Sequence, residues 1–251
     1  MLTYLIICPL LFLAGFVDAI AGGGGLISLP AYMVAGLPAH AAIATNKLSS
    51  SMGTTVATIQ YIRAGYMRWN LCVPAIITAL AGSWGGAKLS LFLDENVLKI
   101  MMLVILPFIA FYVLRTKNLE SNNDKKAFSI GATVALCCLI SLAVGVYDGL
   151  YGPGTGTFLM LLFAGVCRLS LQDSAGATKA INLTTNITAL VVFLVNGAVL
   201  IPLGLAAGVC NMAGNYLGSR CFAAKGAAFV KPLILVVLVI FFVKIIWEFM
   251  A

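Results

Sequence analysis

The chain has 251 residues, of which 62% are hydrophobic and only 9% charged, with a formal net charge of +7 and a mean hydropathy of +1.07. Soluble domains carry about 25% charged residues, so a surface that faces water all round is excluded. The cations fall mostly in short loops, where they set membrane topology rather than mark a nucleic-acid partner.

The first apolar segment, Leu2–Ile20, has no basic leader and is expected to stay as the first membrane segment, not to be cleaved as a signal. It runs into GFVDAIAGGGG, Gly15–Gly25, where Asp18 and four consecutive glycines (Gly22, Gly23, Gly24 and Gly25) interrupt an apolar run. The next segment, Leu26–Leu37, is short. About 12 residues of helix rise only about 18 Å, too little for a hydrocarbon core of about 30 Å. With the segment before it, this piece is expected to form a broken helix or a re-entrant hairpin bent at the glycines. Spans follow near Ala41–Ile62, Leu71–Phe92 and Val97–Leu114, then the polar linker TKNLESNNDKK, Thr116–Lys126. Beyond it lie Ala127–Val146, a second glycine break (GPGTG, Gly152–Gly156) and a last apolar segment at Phe229–Phe249. The fold class is all-α polytopic membrane protein, since a barrel would show alternating segments of about ten residues.

The chain is written twice. GFVDAIAGGGGLISL at Gly15 returns as GVYDGLYGPGTGTFL at Gly145, matching Asp18 to Asp148, Gly22 to Gly152 and Gly24 to Gly154. Downstream Lys47 matches Lys179, Ser50 matches Asn182, Lys88 matches Arg220 and Lys99 matches Lys231, with glycines in step at 65/197, 82/214 and 86/218. Membrane chains repeat glycine freely, but paired aspartates and cations at a near-constant offset mark a duplication of the kind found in transporters. The expected organisation is a first repeat over 1–115, a cytoplasmic linker over 116–126 and a second repeat over 127–251. Each repeat has a glycine-broken helix and about three full spans.

Loop charge orients the halves. Arg63 and Arg68 flank the loop at Gly65, while the matching loop at Gly197 is uncharged. The acidic turn Asp94–Glu95 has a basic counterpart in Arg220, Lys225 and Lys231. Opposite bias at matching loops implies inverted repeats. With Arg115, Lys117, Lys125 and Lys126 the linker is then cytoplasmic, and Met1 and Ala251 lie on the other face.

Non-helical backbone survives at membrane depth only where protein or a wet cavity satisfies it. The first-turn amides of a helix are unpaired and partly positive, and glycine lets a ligand approach them. Two such helix starts, after Gly22–Gly25 and after Gly152, Gly154, Thr155 and Gly156, would make an anion site. For Gly82, Gly86, Gly214 and Gly218 tight helix packing is the better reading. Lys47 in ATNKLSSS and Lys179 in GATKAINLTTN open long apolar spans, each followed by hydroxyl or amide side chains. Membrane lysines snorkel to the headgroups or face a cavity, and duplication beside the glycine breaks favours the cavity. Asn46, Lys47, Ser50, Lys179 and Asn182 join the glycines as candidate substrate-binding residues, with equal loss on removing either lysine if the site is symmetric. Asp18 and Asp148 are expected to cap the broken helices, to pair with the lysines or to carry protons. Seven cysteines form no CxxC pair, and the lone His40 leaves no histidine cluster, so no metal or cofactor is expected.

GFVDAIAGGGGLISLPAYMVAGLPAHAAIATNKLSSS and GVYDGLYGPGTGTFLMLLFAGVCRLSLQDSAGATKAINLTTN resemble the paired signatures of the sulfite exporter TauE/SafE family of membrane permeases. The resemblance covers nearly the whole chain. It implies a non-enzymatic secondary transporter of sulfite, sulfonates or other small sulfur-containing anions in a bacterial inner membrane, with Asn46, Lys47, Lys179 and Asn182 on its motifs. It leaves open the anion, export against uptake, proton coupling and homo-oligomerisation. Two other classes compete with this reading. A non-transporting assembly or channel subunit would show no substrate counterflow. An intramembrane aspartyl protease would use Tyr147–Asp148 with Asp18 as a proton-sharing pair, but Asp18 lacks the GxGD setting. A nucleotide-binding loop at GPGTG lacks the following GK[ST].

Overall fold

The computed structural model describes residues 2–98, 100–101, 104 and 128–225. Most of the expected span Val97–Leu114, the linker Thr116–Lys126, the last segment Phe229–Phe249, the pair Lys99/Lys231 and both termini lie outside the described residues. Eight helices follow in order: α1 (Leu2–Ala21), α2 (Gly25–Val34), α3 (Ala39–Arg63), α4 (Trp69–Phe92), α5 (Ile130–Leu150), α6 (Thr155–Gly165), α7 (Leu171–Val195) and α8 (Ile201–Lys225). A further helical stretch begins at Glu95.

Among the described residues, α1, α4, α5 and α7 are long and apolar enough to cross a bilayer. Helices α3 and α8 are 25 residues long, about 37 Å of helix, but more polar. Their polarity is turned inward: Asn46, Lys47, Thr54, Asn211 and Asn215 are all buried. Large apolar side chains point out instead, among them Ile77, Leu139 and Val209, each more than 60% exposed. An apolar exterior around a polar interior is the arrangement a lipid solvent selects.

Helix ends follow local chemistry. Gly36, Gly65 and Gly197 take left-handed φ of 91°, 75° and 67°. The next residue's amide in each case reaches back to a carbonyl one turn earlier: Leu37 to Tyr32, Tyr66 to Tyr61 and Ala198 to Phe193. This is the glycine stop that closes a helix and satisfies its last carbonyls. It ends α2 at Val34, three residues before the apolar run does. Ser129 and Ser170 cap α5 and α7 by accepting from Ala132 N and Asp173 N. Helix α5 runs to Leu150, past the end of the apolar window at Val146, because Tyr147 and Asp148 find polar partners inside the protein.

The two halves of the chain interlock. Helix α4 packs along α5, and its counterpart α8 packs along α1. Small residues permit the approach. A Cβ at Gly82 or Gly86 would press on the backbone of Leu142 or Val146, and one at Gly214 or Gly218 on Phe12 or Phe16. Packing, as read from the sequence, is what these glycines do. At one end Arg68 Nε meets Asp173 Oδ1 at 2.9 Å, but the Arg68 side chain is 59% exposed. Arg68→Gln should therefore cost at most about 1 kcal/mol, seen as a small shift in thermal melting of the detergent-solubilised protein.

Candidate functional site

The two glycine breaks cross each other. A Cβ on Gly156 would lie 2.5 Å from the Gly22 Cα and 2.7 Å from its carbonyl oxygen, while Gly25 lies backbone to backbone against Pro153. Only glycine allows this approach, and Gly22, at φ 70°, also holds a left-handed backbone. Neighbouring side chains fix the crossing. Thr157 Oγ1 donates to Ala21 O at 2.8 Å, Tyr61 Oη to Ala19 O at 2.8 Å and Tyr147 Oη to Pro153 O at 2.7 Å.

Each lysine reaches into the other half of the chain. Lys47 Nζ lies 2.8 Å from Asp148 Oδ2 and donates to Asn186 Oδ1 at 3.2 Å. Lys179 Nζ pairs with Asp18 Oδ2 at 3.0 Å and also donates to the Asp18 carbonyl. All four side chains are buried, so neither lysine snorkels. The aspartates do not cap the short helices: Gly24 and Gly154 stand at those positions without a side-chain acceptor, and each carboxylate is turned to its lysine. Nor do the carboxylates form a proton-sharing dyad, since each has its own ammonium.

Beside these pairs lies a small cavity, about 280 Å³ of empty space including its mouth. Gly22, Gly25, Asn46, Lys47, Ser50, Gly152, Thr155, Gly156 and Asn182 line it, together with Asp18, Asp148 and Asn186. No lining residue carries an apolar side chain, unlike the mostly apolar walls of ordinary ligand pockets. The amides of Gly25 and Gly156, at the starts of α2 and α6, bond no backbone carbonyl. Those of Leu26 and Ile27 are already taken by the carbonyls of Gly23 and Gly24. Of the candidates read from sequence, Gly23, Gly24, Gly154 and Lys179 do not line the cavity, so its polar wall is asymmetric about the lysines. Asn186 was legible only as a polar residue following Lys179. Its place on the cavity face follows from its standing one helical turn after Asn182, whose Oδ1 accepts from Asn186 Nδ2 at 3.3 Å.

The profile of the sulfite exporter TauE/SafE family matches residues 7–245. The chain belongs to this family. Among its relatives, a probable membrane transporter protein, ORF9, of Sinorhizobium sp is 37% identical over 227 residues, covering 90% of this chain and 85% of the relative. The probable membrane transporter protein YfcA of Escherichia coli K12 is 34% identical over 236 residues, covering 94% of this chain and 87% of its own. A probable membrane transporter protein of Haemophilus influenzae is 30% identical over 237 residues, covering 94% and 92%. No solved structure matches the chain. This member of the TauE/SafE family is thus a multi-pass membrane transporter and not an enzyme, which also sets aside the protease reading.

Proposed function

We propose that this TauE/SafE protein carries sulfite or a small organosulfonate across the bacterial inner membrane by alternating access, holding the anion in the cavity between the glycine breaks. The observation that carries the reading is the buried Lys47 ammonium on the wall of a cavity lined only by glycine, polar and charged residues. A small oxyanion needs cationic and N–H donors converging on its oxygens. Lys47, Asn46, Asn182 and the unbonded Gly25 and Gly156 amides are donors of that kind. The cavity's small volume favours a compact anion over a bulky one.

The same reading takes 1–115 and 127–251 as repeats inverted about an axis in the membrane plane, joined by the cytoplasmic linker 116–126, with both termini on the non-cytoplasmic face. The reciprocal ion pairs Lys47–Asp148 and Lys179–Asp18 support a two-fold relation between the halves, and the opposite loop charges support its inversion. Labelling of an Asn122→Cys variant from outside intact cells would contradict the topology.

Counterflow tests the function. Proteoliposomes loaded with unlabelled sulfite should accumulate labelled sulfite transiently, and taurine and sulfoacetate should compete according to fit. An absence of counterflow with every one of these anions would leave a non-transporting subunit instead.

A further inference from the structure

Asp148 and Asp18 are matched by duplication, yet only one has a hydroxyl built against it. Thr155 Oγ1 lies 2.6 Å from Asp148 Oδ1 and 2.7 Å from the Gly152 carbonyl oxygen. A hydroxyl has one hydrogen and two lone pairs, so it serves one of these acceptors and leaves the other facing a lone pair. Both contacts are satisfied at once only when Asp148 is protonated: the carboxylic acid donates to Thr155 Oγ1, and Thr155 donates to Gly152 O. With Asp148 ionised, the Thr155 hydrogen turns to Oδ1 instead. The site serves both protonation states by rotating one hydroxyl, with no movement of heavy atoms. In the first repeat the position matching Thr155 is Gly25, and no such relay exists beside Asp18.

We infer that Asp148 is the proton carrier of this transporter, taking up one proton as the anion docks on Lys47 and giving it up as the anion leaves. The inference rests on the anion site proposed above. In this structure the Lys47 ammonium is neutralised by Asp148 Oδ2 at 2.8 Å. An incoming anion would set two negative charges on one buried ammonium, and a proton on Asp148 removes that conflict. The carboxylate and proton become a carboxylic acid and no other bond changes. A monoanion therefore crosses with one proton and no net charge.

The other carboxylate on the cavity wall, Asp18, is placed differently: its ammonium, Lys179, stands off the lining, so an anion on Lys47 brings no second charge to that pair. Lys179, on α7, is held by Asp18 of α1, and the α7 residues on the cavity are Asn182 and Asn186. Helix α6 offers only Thr155 as a polar partner to Asp148. From α4, Ser83 and Ala87 pack on Gly149 of α5, while Cys72 lies in a separate apolar cluster with Cys137 and the exposed Lys88 stacks on Trp84. On α5 itself Tyr147 donates to Pro153 O, and Cys138, like Tyr151 just past the helix end, lies outside the cavity lining.

The probe is methanesulfonate, which stays a monoanion throughout the range tested, so any pH dependence belongs to the protein. Binding to the purified full chain should weaken as pH rises, by up to about tenfold per pH unit when one proton enters with each anion. In weak buffer each anion bound should take up one proton, and the infrared difference spectrum should gain a protonated-carboxyl band. Asp148→Asn should bind with no pH slope, no proton uptake and no band. Thr155→Val should shift the pH at which this slope sets in, and Thr155→Ser should restore it. Parental binding that is flat with pH, or a slope and proton uptake that persist in Asp148→Asn, would overturn the assignment. The infrared band is read on the parent, so its absence counts against the proposal even if Asp148→Asn fails to fold. If neither methanesulfonate nor sulfite binds at any pH, it is the anion site itself that fails.

Discussion

Lys47→Met should weaken sulfite binding by tenfold or more, whereas Lys179→Met should chiefly cost stability. Hydrogen bonds to a charged group contribute about 1.5–3 kcal/mol, and about 1.4 kcal/mol is a factor of ten in affinity. Lys47 stands on the cavity wall and Lys179 does not. The sequence expectation is equal loss for a symmetric site, and the unequal placing of the lysines predicts unequal loss instead. Both changes break a buried ion pair, which strands a carboxylate and costs about 3–5 kcal/mol. Binding must therefore be read on folded protein. The double variants Lys47→Met/Asp148→Asn and Lys179→Met/Asp18→Asn remove both charges and should recover much of the lost stability. Only the second should then bind sulfite within a few-fold of the parent. Calorimetric titration with sulfite after size-exclusion selection checks this. Parental affinity in the folded Lys47 double variant would leave the cavity without its proposed cation.

The second large effect is expected where the glycine breaks cross. Gly156→Ala places a methyl 2.5 Å from the Gly22 Cα, and a backbone cannot turn away as a flexible side chain can. Overpacking in a tight interior costs about 1–3 kcal/mol, and here the strain falls on backbone at the cavity wall. Gly22→Ala adds a left-handed conformation unfavourable to an L-residue by about 1–2 kcal/mol. Each variant should lower the melting temperature and abolish counterflow. Gly85→Ala in α4 is the control. Nothing lies within 4 Å of its Cβ position, and alanine in a helix is up to about 1 kcal/mol better than glycine. Gly85→Ala should transport like the parent. Full counterflow by Gly156→Ala would show that the two breaks separate readily and that their contact is not part of the site.

The membrane class, the duplication, the broken segments at Gly22–Gly25 and Gly152–Gly156 and the residues Lys47, Asn182, Asp18 and Asp148 were legible in the sequence. Hydropathy, helix-stopping glycines and buried charges act over one or a few turns, so they leave their mark in local order. Which lysine meets which aspartate was not legible. Lys47 takes Asp148 and Lys179 takes Asp18 because each half of the chain closes on the other, with α4 along α5 and α8 along α1. That register is set by small residues meeting a distant backbone, as Gly82 meets Leu142. The inequality of the halves was also decided in three dimensions. Thr155 against Gly25, and Asn186 against Thr54, are ordinary substitutions between repeats. They gain meaning only when folding sets Thr155 on Asp148 and Asn186 on Lys47. A repeated sequence specifies two similar halves, but a contact between them such as Lys47 with Asn186 depends on side chains from both at once, and even Thr155 meets Asp148 within one half only when the turn at Gly152 closes.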